Sequence, residues 1–449
     1  MHARAARACL VRLEFLPPAP QAPPRGHRRR EPPVTRPLAN RLLALGLLAY
    51  VLARAAMDFR EDAFGAGLFH WAYTDGLIDY SGGFVRRGLS GEVLGLLAPL
   101  ASPRLIVALV AWASTLAVAA GLARLALKSA GRLHPVWTAA LLLAPAGILF
   151  PLHDNGAFAR KELLGALVLL ADVALLAAAP RRALAGFAAL SVFVMPALVL
   201  VHEAIAPLYL PLQSLLVALG LRQARHAPTR AALGAAALAL PSVLAFAACA
   251  TVGRGDLAGA VIVAARWEAT GDLDAGATLV LPGAIGTLAW APTQALWRPG
   301  SLPPAEISAW LLALGANAAL ALWAGAGATR ALAPGGRPRR VAALAFAAPL
   351  VLALPLWAIG CDFGRWFAAT TLGFTIVALS PDAQRLLSGA PEEAPADAPP
   401  PGPARPVAAW VAVVLAVLAL RVPHMAAGFH NTLSAPAQEL LAWLAGLAG

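Results

Sequence analysis

Charge and cysteine are both scarce in this chain. Charged residues make up 13% of its 449 positions while 59% are hydrophobic, and the mean hydropathy is +0.70. That balance excludes the two or three soluble domains that the length alone would suggest, and it leaves an all-α, polytopic integral membrane helix bundle. The three cysteines, Cys9, Cys249 and Cys361, form no metal-binding spacing and no disulfide framework. The pair His202-Glu203 lacks a second histidine at 206, so it is not a zinc motif of the HExxH type. No cofactor is indicated, and no metal site is assigned; a divalent cation on the acidic loops stays open. No small-residue cleavage site follows the first hydrophobic run, which therefore reads as a span and not as a signal peptide. A clear internal repeat, the mark of many transporters, is also missing.

What is present is basic. The net charge is +12, and the first 36 residues hold eight arginines against Glu14 and Glu31. Half of the surplus thus sits in one proline-rich segment, which reads as a disordered cytoplasmic tail, residues 1–37, facing an anionic leaflet and not a nucleic acid.

A helix needs about 20 apolar residues to cross the hydrocarbon. Eleven runs come near that length: 38–57, 103–127, 136–152, 163–180, 183–201, 204–221, 231–252, 305–328, 341–359, 364–380 and 407–423. Residues 279–297 form a further run, broken by Pro282, Gly283, Gly286 and Pro292, and read as a re-entrant or interfacial element. With the N-terminus cytoplasmic, the basic connections Arg124–His134, Arg181–Arg182, Arg222–Arg230 and Arg330–Arg340 all fall on the cytoplasmic side. The predicted organisation is a bundle over 38–380, a flexible proline-rich linker over 381–406, and a last transmembrane helix with an outer segment over 407–449. A multi-pass protein of the bacterial plasma membrane, with membrane lipid as a partner, is expected.

The same count puts 58–102, 153–162, 202–203, 253–304 and 360–366 on the outer face. Nearly every mixed-charge cluster in the chain lies in these loops: "FRED", "DYSGGFVRRGLSGE", "HDNGAFARKE", "HE", "RWEATGDLD" and "CDFGRW". Arg86 and Arg87 stand where topology disfavours cations, so they call for an anionic partner: a phosphate, a lipid head group or the loop acids. Gly82 and Gly83 would allow close backbone approach to such a ligand. Arg160 and Lys161 oppose the dipole of the helix they precede unless a phosphate or Glu162 neutralises them; Asp154 or Asn155 would cap that helix. His202 and Glu203 are either a hydrogen-bonded interfacial pair or a base or metal ligand. Asp362 and Arg365 either pair with each other or grip a hydroxyl and a phosphate. Trp267 offers a flat face to a sugar ring, or belongs to a plain amphipathic loop. The stretch after Gly91 is too short to span and is predicted to lie at the interface as an amphipathic helix. Asp172, ten residues past Glu162, would lie roughly 15 Å deeper; it packs against Gln213 or Asn317, or it marks a transport site together with 279–297.

The first helix with its cytoplasmic start, the acidic first outer loop with Asp58, Glu61 and Asp62, the interfacial helix after it and the later cationic loops together resemble the GT-C glycosyltransferases, polytopic enzymes that use polyprenyl-phosphate-linked sugars. The resemblance covers most of 38–380. It implies that Asp62 or Glu61 acts as base on the acceptor hydroxyl, with Asp58 and Asp79 as rivals, and that Arg86, Arg87, Arg160, Lys161 and Arg365 hold the lipid phosphate. It further implies a polyprenyl-phosphate-linked sugar as donor and a glycan or lipid as acceptor. The chain departs from that family in having no large outer C-terminal domain and in its "GGFVRRG" segment. A surface-polysaccharide polymerase or ligase would use similar outer arginines, and a transporter or lipid flippase would rest on Asp172.

Overall fold

The computed structural model describes residues 35–64, 70–153, 160–253, 255–274, 276–290, 304–334, 338–359, 362–389, 403, 405–420 and 422. Most of the tail 1–37, most of the linker, the segment after 422, Asp154 with Asn155, and residues 291–297 lie outside them, as do the side chains of Glu61 and Asp62. Every regular element among the described residues is helical: α1 Thr35–Phe64, α2 His70–Leu77, α3 Gly88–Leu97, α4 Pro103–Lys128, α5 Pro135–Leu142, α6 Phe150–His153, α7 Leu163–Leu176, α8 Pro180–Val201, α9 Ile205–Gln223, α10 Pro228–Thr251, α11 Leu257–Ala269, α12 Gly283–Gly286, α13 Pro304–Leu332, α14 Pro338–Ile359, α15 Phe363–Leu379, α16 Pro381–Ser388 and α17 Pro406–Ala419. Many of these helices begin at a proline, whose fixed φ suits the first turn and whose missing N–H has no partner there in any case. Ser102, Ser380 and Asp256 cap α4, α16 and α11 with side-chain oxygens.

Among the described residues, six helices are long and apolar enough to cross a membrane: Arg36–Arg60, Pro103–Lys128, Pro180–Val201, Ile205–Gln223, Pro228–Thr251 and Trp310–Leu332. Of the other expected spans, 341–359 falls within α14, 364–380 and 407–423 are shorter apolar helices, and two more differ instructively from expectation. The run 136–152 is not one helix. Pro145 and Gly147 break it between α5 and α6, and the irregular backbone is tolerated because Leu142, Ile148 and Leu149 bury it inside the bundle. The run 163–180 ends at Leu176, about 21 Å long at helical rise. In α8 the turn Leu190–Val194 is π-helical just before Pro196, whose ring would clash with the carbonyl of residue 192 in a regular α-helix.

Two boundaries are corrected. The first helix runs to Phe64, so Asp58, Arg60, Glu61 and Asp62 belong to its last turns and not to a loop; Arg54 supports this extension by pairing with Asp58 at 3.5 Å one turn on. The linker does not begin as a flexible spacer. Residues 381–388 form α16, with Pro381, Ala383 and Gln384 buried and Gly389 ending it at φ 67°.

The helix ends sort into two groups. At one, Asn40 Nδ2 donates to the carbonyls of Ala130 and Leu133, Ser129 Oγ donates to Leu379 O, and Lys128 pairs with Asp382 at 2.6 Å. These contacts tie the start of α1 to the ends of α4 and α15. At the opposite end of the same helices lie α2, α3, α11 and α12, which close over a second, smaller core of Leu77, Ile78, Val85, Leu94, Val263, Trp267, Ile285 and Leu288. Apolar side chains such as Leu42, Leu45, Leu244 and Leu312 stand more than half exposed on the bundle's flank, as a surface facing lipid requires.

Candidate functional site

The cap end of the bundle holds a buried ion cluster assembled from α2, the turn before α3, the segment 160–162, the α8–α9 turn and the start of α15. Its first half is centred on Arg87, which adopts a left-handed backbone (φ 69°) at the start of α3. Arg87 Nε and Nη2 donate to Glu203 at 2.9 and 2.8 Å, and Nη1 donates to Asp75 at 2.9 Å. Lys161 Nζ sits 3.0 Å from the other Asp75 oxygen and also donates to Asp75 O, Ser90 Oγ and Val201 O. Two cations and two carboxylates thus satisfy one another. Burial alone would raise the pKa of Asp75 and Glu203, but Lys161 and Arg87 hold Asp75, and Arg87 holds Glu203, well below the usual carboxylate range. Burial lowers that of Lys161, while Glu203 and Asp75 more than offset burial at Arg87.

The second half is less satisfied. Glu162, at the start of α7, is 4% exposed, with Arg365 Nε 2.9 Å from its Oε1 and His202 Nε2 3.5 Å from the same atom. Neither approach is aligned as a hydrogen bond, so both Glu162 oxygens and Arg365 Nη1 are buried without a hydrogen-bond partner. Arg365 Nη2 pairs with Asp362 at 2.8 Å. His202 Nδ1 accepts from Ala204 N, which places the proton of the neutral ring on Nε2. Burial, reinforced by Arg87, pushes His202 down to about 4, and burial with Arg365 pushes Arg160 down to about 10. Glu162 is also held low, because Arg365 and His202 outweigh its burial.

This second half borders a small recess of about 30 Å³, lined by the polar Arg160, Glu162, Tyr209 and Arg365 together with the apolar Phe150, Leu163, Ala368, Ala369 and Leu372. The Tyr209 hydroxyl is fully buried there without a hydrogen-bond partner. Gly165 makes room for its ring: a Cβ at 165 would come within 2.3 Å of it. Cations, a carboxylate and a hydroxyl beside apolar side chains form an amphipathic site.

The structure therefore brings together Arg86, Arg87, Arg160, Lys161, His202, Glu203, Asp362 and Arg365, and it leaves others apart. Arg86 is anchored by its backbone N–H to Gly253 O at 2.8 Å; its guanidinium feels Glu203 and Arg87 but makes no ion pair among the described residues. Asp79 is fully buried outside the cluster, held by Arg266 Nη1 at 2.9 Å and by Ser81. Asp58 pairs with Arg54 along α1. Trp267 presents no face to a sugar: it is 1% exposed in the second core, and its indole N–H donates to Leu77 O at 2.7 Å. Its segment is the end of helix α11 and not an amphipathic loop, because the apolar run 257–267 has a core to bury against. Gly82 serves packing in place of a ligand. A Cβ there would meet Gly259 O at 2.5 Å, so the glycine pair lets the loop lie directly on α11. Asp172 is fully buried in the bundle with Gln213 as its polar neighbour, the pair lying short of good hydrogen-bond geometry, while Asn317 donates to Ala313 on its own helix. The described part of 279–297 packs on α2 in the cap.

Asp75, Glu162 and Tyr209 did not stand out as site residues in the sequence. Asp75 closes an aromatic stretch, Glu162 reads as a neutraliser of its neighbours, and Tyr209 is a lone hydroxyl in an apolar run.

Fold and charge placement define a polytopic helical membrane protein with a polar site at one end of its bundle. The profile of a family described as uncharacterised membrane protein Rv1490 matches residues 43–273, just over half the sequence, and the chain belongs to that family. The matched region runs from α1 into the cap and contains all the cluster residues except Asp362 and Arg365. No curated protein and no solved structure matches the chain.

Proposed function

We propose that this chain is a membrane glycosyltransferase that moves a sugar from a polyprenyl-phosphate-linked donor to a glycan or lipid acceptor at the outer face of the plasma membrane. The observation that supports this most is the amphipathic recess, whose lining combines Arg160 and Arg365 with apolar side chains. A phosphate suits the guanidiniums, and the first carbons of a lipid chain suit the apolar lining beside them. In the reaction the acceptor oxygen bonds to the anomeric carbon as a carboxylate takes its proton. The bond from that carbon to the phosphate oxygen breaks, and the electron pair leaves on the phosphate, where Arg160 and Arg365 offset the growing charge. Arg86, with no ion pair among the described residues, adds to that field. Arg87 and Lys161, saturated by Asp75 and Glu203, act as scaffold in this reading. Among the acids that the resemblance offers as base, Asp58 and Asp79 are engaged by Arg54 and Arg266, and Glu61 or Asp62 is the base in this reading, as the resemblance implies.

One observation favours a second reading, transport: the carboxyl of Asp172, fully buried within the bundle. Membranes carrying the full-length chain, supplied with a panel of polyprenyl-phosphate-linked radiolabelled sugars, separate the two. Asp172→Asn is expected to retain at least about half of the transfer, since a neutral amide replaces a carboxyl that has no cationic partner. Loss of function in Asp172→Asn with full function in Arg365→Ala would replace the transferase reading with transport.

A further inference from the structure

The inference that follows rests on the lipid-phosphate reading of the recess and concerns the charge of what enters it. Among the described residues, Arg86, Arg87, Arg160, Lys161 and Arg365 stand in mutual electrostatic contact with Asp75, Glu162, Glu203 and Asp362, five cations against four carboxylates. His202 adds no charge near neutral pH, since burial holds it at about 4. The cluster thus carries one surplus positive charge in a largely buried setting. An uncompensated buried charge is costly, so the ligand that best completes the site brings a single negative charge.

The buried atoms around the recess that lack a hydrogen-bond partner narrow the ligand further. Arg365 Nη1 can only donate, the ionised Glu162 oxygens can only accept, and the Tyr209 hydroxyl can do either. A fitting ligand offers acceptor oxygens and, beside them, a hydroxyl donor for Glu162. A lipid phosphate monoester above its second pKa, which lies near about 6, has acceptors only and brings a second negative charge against Glu162. A phosphodiester whose second substituent bears a hydroxyl has one charge, acceptors and a donor.

We propose that Glu162 is a specificity-determining residue that admits a singly charged, hydroxyl-bearing lipid phosphodiester to the recess and disfavours a doubly charged lipid phosphate monoester. The donor of the proposed transfer is such a diester, and the lipid left after transfer is such a monoester. The same carboxylate therefore selects the donor and repels the spent carrier.

The test compares two probes that share one chain, farnesyl phosphate and its 2-hydroxyethyl diester, titrated onto the purified full-length chain in a neutral detergent. At about pH 8, above the second phosphate pKa, the diester is expected to bind at least about tenfold more tightly. At about pH 5 the monoester is singly charged, and the gap should shrink to within about threefold. Glu162→Gln keeps an acceptor oxygen and removes one negative charge, so it should raise monoester affinity about tenfold at the higher pH. If that variant does not fold, the wild-type comparison at the two pH values decides alone. Equal affinities at about pH 8, or an unchanged ratio in a folded Glu162→Gln, would overturn the inference and leave the lipid-phosphate reading standing. Failure of both probes to bind the wild type would overturn both.

Discussion

Arg87→Ala is expected to destabilise the folded protein by about 3–5 kcal/mol, the usual consequence of stranding buried partners of an ion pair. Two carboxylates share Arg87 in this case. Asp75 is 2% exposed and Glu203 lies at the buried α8–α9 turn, and both are paired with the one guanidinium. Lys161 still neutralises Asp75, but Glu203 loses its only ion-pair partner among the described residues. The loss should appear as a fall in the melting temperature of the detergent-solubilised chain and in the yield of monodisperse protein. Adding Glu203→Gln to Arg87→Met, which replaces the pair by neutral groups of similar bulk, should recover more than half of the loss. No recovery in the double variant would mean that the pair matters for something other than mutual neutralisation.

Arg365→Ala is expected to lower sugar transfer by about a hundredfold or more, the scale seen when one preorganised donor to a developing oxyanion is removed. Its position supports so large an effect. The residue is 4% exposed in the first turn of α15, its Nη2 pairs with Asp362, its Nε lies 2.9 Å from Glu162, and its Nη1 has no hydrogen-bond partner beside the recess. Arg365→Lys should recover little, because an ammonium cannot hold both carboxylates and still present a donor to the ligand. Stability is the control, since Glu162 is left without its nearest cation. Arg365→Ala with Glu162→Gln should melt near the wild type and still fail to transfer. A double variant with wild-type transfer would remove Arg365 from the chemistry.

How far the sequence anticipates this site follows from the kind of signal each residue carries. Arg86, Arg87, Arg160, Lys161 and Arg365 were visible because cations on the outer side run against a topology rule, and the structure gathers them at one end of the bundle. Their division of labour was not visible. That Arg87 and Lys161 are saturated while Arg365 has a spare donor depends on Asp75 and Glu203, more than a hundred positions apart. Trp267 and Gly82 were misread for one shared reason: a cap with its own core forms over the outer loops, and it turns an exposed ring and a flexible glycine into packing elements. The spans were legible as hydropathy, but the break at Pro145–Gly147 and the helical start of the linker reflect burial by distant helices, which no local pattern records.

The central claim is that the recess between α6, α7, α9 and α15 holds a lipid phosphate. Its most direct test is photolabelling of membranes containing the full-length chain with a farnesyl phosphodiester that carries a diazirine in its chain. The account predicts labelling confined to residues 147–151, 163–169 and 365–372, suppressed by excess unlabelled diester and lost in Arg365→Ala. Labelling spread over lipid-facing side chains such as Leu45, Leu244 and Leu312, unaffected by competitor or by the variant, would contradict it.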